Sequence, residues 1–597
     1  MRQSNLKTLL KSMATKPKVC KGSNLSYAWL VLTAMLGCAQ EGLAWGSNEL
    51  IPILEPESSA IMSAPTDGVN VPADNPIGAI LKCERHPLLR RADFRKVSEP
   101  LIQIYQGSDF QPIWFSANRS EKNLRDLIAI LGNASADGLN PVFYDADRLQ
   151  EWIGSQASDG NAVASYDVAL TVSLVRYLQE LRQGLVNPRD IQNSAHIAPK
   201  QSLDVAALLK QHLASEALPD LVGIFEPKND QYRRLKQILA GLRGFGDKAG
   251  FSEIKLGKAL RPGERHSQIP ALRQGLQALG LLKEVNDAED KIYDSAMVAA
   301  VKTLQAQSGL KADGVIGPAT MALFSQSPTS KIAQIELAME RARWIPDSAD
   351  GPMILVNIPA FELWAFSSSD DPKPLNMKVV VGKAPDNQTP LLWEEMKYLE
   401  FMPYWNIPTT IFRKEILPKT LNNKGYLASQ NIELVQHKLS EERGGATYLR
   451  ARQRPGNKNP LGRVKFVFPN TADVYLHDTP SKAAFSRQRR DLSHGCVRVS
   501  EPERLAEFVL SDQQGWDSDR IKQAMSAPKT RHVTLSRSIP VLFYYGTTFV
   551  DPENQLRFYP DVYGLDEQMR KVLNEIQERT LLGNAPDRQL LANKTQM

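Results

Sequence analysis

A chain of 597 residues exceeds what one hydrophobic core sustains, about 250–300 residues, so several domains are expected. With 42% hydrophobic and 23% charged residues, the body is neither disordered nor membrane-embedded. The formal charge of +6 sits largely at the start, where Arg2, Lys7, Lys11, Lys16, Lys18 and Lys21 occur without an acid in the first 26 residues. No zinc-finger spacing and no basic, aromatic-interleaved strand pair is present, which argues against nucleic acid as a partner.

The basic start runs into an apolar stretch from Tyr27 to Ala39, a signal-peptide length rather than a membrane span. Gly42 and Ala44 suit cleavage before Trp45, so residues 1–44 are expected to be a signal peptide or, if uncleaved, an N-terminal anchor and the single membrane contact. Residues 45–87, rich in Pro, Ser, Ala and Asn, should be a linker. Export leaves Cys83 and Cys496 in the mature chain, since Cys20 and Cys38 lie in or before the leader. That excludes a disulfide framework and makes Cys496 a suspect for chemistry.

Residues 88–250 should form a helical scaffold domain. Val168, Val172, Val175, Leu178, Leu181 and Leu185 recur at helical steps, and Pro188 is expected to end the run. Over 251–330 a compact unit carries stripes at Leu272, Leu276, Leu279 and at Val298, Val301, Leu304, Leu310. Its Val301-Lys302-Thr303-Leu304-Gln305, Gly309-Leu310 and Asp313-Gly314-Val315-Ile316-Gly317-Pro318-Ala319-Thr320 resemble a three-helix peptidoglycan-binding module. Residues 331–350 should return to the scaffold as a helix.

From Gly351 the pattern turns to short β runs: Ile354–Ile358, Met377–Val381, Val464–Phe468, Val474–His477, Cys496–Val499 and Pro540–Tyr545. A mainly β domain over 351–566 is expected, with a polar insertion at about 408–460 as a cap. Residues 567–597 read as a charged helical tail. The expected fold class is multidomain α+β.

His477 and Cys496 are 496 − 477 = 19 positions apart, and the Cys stands in Ser493-His494-Gly495-Cys496-Val497-Arg498. A His closing one strand can face a Cys opening its neighbour and serve as its base. Gly495 leaves room beside the sulfur for a carbonyl. The segment Ser500-Glu501-Pro502-Glu503 reads as a capping box opening a helix. Lys482, Arg487, Arg489, Arg490 and Arg498 form a cationic surround expected to lower the thiol pKa and attract carboxylates.

The stretches Val474-Tyr475-Leu476-His477-Asp478 and Leu492-Ser493-His494-Gly495-Cys496-Val497-Arg498-Val499 resemble the signature of the L,D-transpeptidase catalytic family. Met377 to Gly382, Gln388-Thr389-Pro390, Pro403 to Pro408 and Leu461 to Asn470, with Arg182-Gln183-Gly184, are similar to its large, scaffold-bearing subfamily with a capping subdomain. The resemblance implies Cys496 as nucleophile and His477 as base. His494, Gly495 and Tyr475 would complete the catalytic set, the amides of Cys496 and Gly495 and the Tyr475 side chain meeting the oxyanion. Ser493, Arg498, Arg490 and Asp478 would orient or bind substrate.

It further implies a periplasmic enzyme that needs no cofactor or metal. Its partners would be peptidoglycan stem peptides and glycan, together with wall-synthesis enzymes. The product would be a 3→3 cross-link formed through a Cys thioester. An L,D-carboxypeptidase or endopeptidase, and a non-catalytic wall-binding scaffold, remain alternatives.

Overall fold

The computed structural model describes residues 71–115, 120–154, 159–244, 256–278, 281–282, 291–307, 311–317, 320–321, 328–347, 351–369, 371–438, 447–552 and 555–582. The leader, most of the linker, Leu279, Leu310, Pro318, Ala319, Arg443-Gly444-Gly445 and the last fifteen residues of the tail lie outside them. Among the described residues no helix is long and apolar enough to cross a membrane. The chain divides into two compact units that do not follow sequence order. One comprises Met377–Lys383 and Glu394–Val541; the other holds the scaffold, the three-helix module, residues up to Asn376, Ala384–Trp393 and everything after Val541.

In the scaffold-bearing unit the helix Gly160–Gln183 is the core, burying Val168, Val172, Val175, Leu178 and Leu181. Asp159 caps its start by accepting from Asn161 N–H at 3.3 Å. Pro188 does not end it, contrary to expectation. Gly184 does, at φ +92°, where a Cβ would stand 2.8 Å from Glu340 Oε1 and 2.9 Å from Trp344 Nε1. Glu340 occupies that space to accept from Leu185 and Val186 N–H at 2.6 and 2.8 Å, while Pro188 opens the next short helix. Glu340 belongs to the helix Pro328–Trp344, which buries Ile335, Ala338 and Met339 in the scaffold core. The helix Leu565–Leu582 lies in the same unit, with Asp566 paired to buried Arg341 at 2.5 Å.

The expected linker is shorter at its C-terminal end. Asn75 caps a helix over Pro76–Cys83, whose Ile77 and Leu81 join the scaffold core. His86 follows, fully buried, its Nε2 2.8 Å from the Ser165 carbonyl. Burial pushes its pKa down from 6.5 to about 4. A group neutral when folded but protonated when unfolded stabilises fully above pH 6.5 and loses that contribution as pH falls toward 4. His86→Gln should remove about 3 kcal/mol of acid lability. Thermal melts at pH 7 and pH 4.5 check this, and an unchanged difference between the two melts would contradict it.

The module expected over 251–330, of which the described residues show the helices Ile269–Ala278 and Ser295–Gln307, closes over Leu260, Ile269, Leu272, Leu276, Tyr293, Met297, Val301, Leu304 and Ile316. Gln305 holds its glycine turn, accepting from Gly314 N–H at 2.8 Å and donating to Val315 O at 3.0 Å. Strands β1 (Met353–Asn357) and β2 (Glu362–Phe366) form an antiparallel hairpin in the same unit.

The other unit is built on a sheet of β3 (Leu375–Gly382), β4 (Leu392–Phe401), β8 (Val464–Val467), β9 (Leu476–His477), β10 (Asp491–Ser493), β11 (Val497–Val499) and β12 (Arg531–Tyr544). Their order is β10-β3-β11-β9-β8-β4-β12. The insertion adds β5 (Trp405–Asn406), β6 (Ile432–Lys438) and β7 (Thr447–Gln453), a three-stranded sheet ordered β5-β7-β6. With short helices between Thr409 and Ser429 it encloses its own small core of Ile407, Phe412, Ile416, Leu427, Ile432 and Ala451. The helix after the nucleophile segment starts at Pro502 with Glu501 at its cap and no side-chain cap bond, so the expected capping box does not form. The fold class is multidomain α+β, as the sequence implied.

Candidate active site

Strands β9 and β11 run parallel, with Leu476 opposite Val497 and His477 opposite Arg498, and Val497 N–H donates to Tyr475 O at 3.1 Å. Side chains alternate along a strand, so Tyr475, His477, Cys496 and Arg498 share one face while Leu476 and Val497 are buried on the other. β8 adds Lys465 opposite His477, and β4 adds Glu400 opposite Lys465. The result is a lateral row of Arg498, His477, Lys465 and Glu400 on the face that bears the thiol.

Cys496 is half-buried and unbridged, its Sγ 3.9 Å from the Asp473 carbonyl. Asp473 is held at φ +51° by the Asn470–Val474 turn, in which Asn470 both accepts from Val474 N–H and donates to Val474 O. The Tyr475 phenol adjoins the sulfur and favours its thiolate. Burial pushes the thiol up to about 11, against the opposing effects of the Tyr475 bonds and the Lys465 charge. The thiol pKa was expected to be lowered, and the structure corrects this. In the cationic loop Lys482 is paired with Asp478 at 2.7 Å and Arg489 with Asp491 at 2.7 Å, so their charge is largely spent locally.

His477 is buried, and its Nδ1 lies 2.5 Å from the Asp478 carbonyl. A carbonyl can only accept, so Nδ1 carries the proton and Nε2 keeps its lone pair. Burial, then the nearby Arg498 charge, lowers the imidazole pKa to about 3. The resting pair at neutral pH is therefore a thiol and a neutral imidazole.

Ser493 clamps the turn before the Cys. Its Oγ donates to Cys496 O at 2.6 Å and accepts from Gly495 N–H at 3.1 Å. Gly495 sits at φ +119°, which a side chain would strain. Because its amide is bonded to Ser493, Gly495 is not a free oxyanion donor, a correction to the expectation; the Cys496 amide and the Tyr475 hydroxyl remain.

Two further assignments are displaced. Arg490 is buried with Nε donating to Val379 O at 3.1 Å and Nη1 to Arg487 O at 2.9 Å, so it braces the sheet. The Asp478 carboxylate takes the Arg463 N–H at 2.9 Å and Lys482, beside Gly462, where a Cβ would come within 2.3 Å of Oδ2. Neither faces the sulfur as a substrate ligand. Arg498, by contrast, keeps a buried Nε with no hydrogen-bond partner, next to the thiol.

His494 is half-exposed, and its Nε2 lies 2.7 Å from Glu415 Oε1 of the insertion. Pro418 has no N–H to offer the fourth preceding carbonyl and would crowd it, and the backbone opens into a π turn over Phe412–Ile416 that carries Glu415. The insertion is thereby tied to the residue two places before Cys496. Sequence reasoning missed Glu415, Lys465 and Glu400. Lys465 stood in a quoted motif, but its place on the thiol face depends on strand register.

Residues 351–533 match the family described as L,D-transpeptidase catalytic domain. The chain carries an L,D-transpeptidase catalytic domain. A scaffold domain matches residues 99–239, and a "Putative peptidoglycan binding domain" matches 265–324. A Haemophilus influenzae protein named "Putative L,D-transpeptidase" is 32% identical over 255 residues, 40% of this chain and 50% of its own length. The alignment thus spans about half of that relative. Among solved structures, Mycobacterium tuberculosis L,D-transpeptidase 1 aligns at 13% identity over 33% of this chain and 63% of its own, with a TM-score of 0.12. A Clostridium acetobutylicum fused Zn-dependent amidase/peptidase/peptidoglycan-binding domain-containing protein aligns at 11% identity over 48% and 99%, with a TM-score of 0.13. Overlaps this weak bear on neither fold nor function of the L,D-transpeptidase domain.

Proposed function

We propose that this protein is a periplasmic peptidoglycan L,D-transpeptidase that forms 3→3 cross-links through a thioester on Cys496. The observation that carries the proposal is the half-exposed Cys496 thiol, beside Tyr475, on the same sheet face as a buried neutral His477 with a free Nε2. The sulfur attacks the carbonyl carbon between the third residue of a tetrapeptide stem and its terminal D-alanine, and the thiol proton passes to His477 Nε2. Collapse of the tetrahedral adduct returns that proton to the departing D-alanine nitrogen, leaving the thioester. The side-chain amine of a second stem's third residue then attacks the thioester and gives its proton to His477. The sulfur leaves and is reprotonated.

The Cys496 amide and the Tyr475 hydroxyl receive the oxyanion. Arg498, with its unpartnered Nε, suits the D-alanine carboxylate. The peptidoglycan-binding match over 265–324 supports the polymer as substrate, and the basic, apolar start supports export. Water as acceptor would make the same thioester serve an L,D-carboxypeptidase.

Incubation with sacculi should yield 3→3 cross-linked muropeptides, identified by digestion and mass spectrometry. Release of D-alanine with tripeptides alone would instead establish hydrolysis.

A further inference from the structure

Lys465 is buried to 6% exposure on β8, yet among the described residues its ammonium makes no ion pair. Its Nζ lies 4.0 Å from the centre of the Tyr475 ring. That ring stands edge-on to the His477 imidazole with centroids 5.7 Å apart, and the phenol adjoins the Cys496 thiol and favours its charged form. A buried cation is costly unless it is compensated, and the electron-rich face of the phenol supplies part of that compensation. We propose that Lys465 is a positioning residue for the thiol, seating the Tyr475 ring and polarising its O–H toward the sulfur.

The chemistry follows from the ring. A cation on an aromatic face draws electron density from it, making the phenol a stronger hydrogen-bond donor to sulfur as negative charge develops there. The same charge disfavours protonation of His477, keeping the base available. Among the described residues, the other charged or titratable groups around the thiol and its phenol include Arg498 on β11, His477 on β9, Asp473 in the turn before it and Glu400 on β4. Glu400 lies 3.6 Å from His532 on β12, and its charge opposes that of Lys465 on the phenol. Among the described residues, Lys465 is the one of these seated on the phenol that adjoins the sulfur.

This inference deepens the proposed function and rests on Cys496 as its nucleophile. The test uses the full chain with Cys83→Ala, reading iodoacetamide labelling of Cys496 by peptide mass spectrometry at pH 7 to 9. Below its pKa the thiol labels in proportion to its thiolate fraction. Lys465→Met should slow labelling at pH 8 about tenfold, equivalent to about one unit of thiol pKa, with Lys465→Arg recovering much of the rate. In a Tyr475→Phe background the same Lys465→Met change should slow labelling less than about threefold. Equal labelling by Lys465→Met and parent would overturn the proposal, as would an undiminished effect without the phenol, which would mean the charge acts through space alone. If Lys465→Met does not fold by circular dichroism, Lys465→Gln takes its place in the same comparison. Because Cys496 reactivity is read directly, these outcomes stand apart from the reaction itself, whose failure would appear as cross-linking that persists in Cys496→Ala.

Discussion

Cys496→Ala is expected to abolish acyl transfer, lowering turnover on the order of 10⁴-fold or more, while the protein stays folded. The asymmetry has a structural cause. The sulfur is half-exposed, and its neighbours are the Asp473 carbonyl, 3.9 Å away, and the Tyr475 phenol. Losing it removes little buried area and leaves two groups that water can reach, so the melting temperature should hardly move. Covalent chemistry has no such substitute, because among the described residues the other thiol, Cys83, lies in the scaffold-bearing unit. Cys83, exposed on the scaffold-bearing unit, supplies the control: Cys83→Ala should leave turnover unchanged. The measurement is intact mass after incubation with a tetrapeptide stem or a carbapenem. An adduct that survives in Cys496→Ala would refute the assignment.

The second large effect separates base from ion pair. With the imidazole pKa lowered to about 3 and the thiol raised to about 11, proton transfer accompanies attack rather than preceding it. His477→Gln should therefore cost about 10²- to 10⁴-fold in transfer, the usual worth of a positioned general base. It should change iodoacetamide labelling of Cys496 at pH 8 by less than about threefold, since no imidazolium is lost. Glutamine keeps polar atoms of similar reach for the Asp478 carbonyl, which limits the structural penalty. A tenfold or greater fall in labelling would show that a thiolate–imidazolium pair exists in the resting protein. His494 is expected to behave differently, because its imidazole meets Glu415 of the insertion rather than the sulfur.

Local chemistry decided much of this molecule without reference to its fold. The Ser-His-Gly-Cys segment, the strand ending in His477, the helical stripe from Val168 to Leu181 and the glycine turn after Gln305 could be read from the chain. Each rests on spacing within a few residues or on the special freedom of glycine. Where the sequence misled, the deciding partner was distant. Gly184 ends the long helix because Glu340, 340 − 184 = 156 residues on, fills the space that a side chain would need. Arg490 and Asp478 resembled substrate ligands until backbone groups on neighbouring elements were seen to take them up.

The thiol pKa shows the same division. Sequence places four cations in the loop from Ser481 to Asp491 and so implies a lowered value. Only the fold shows that Lys482 and Arg489 are neutralised by Asp478 and Asp491, that burial dominates, and that Lys465 and Arg498 are the cations reaching the site. Identity and short-range geometry are properties of the chain. Desolvation and charge proximity depend on which residues strand register sets side by side, and that is fixed only when the sheet of β3, β4, β8, β9, β10, β11 and β12 assembles.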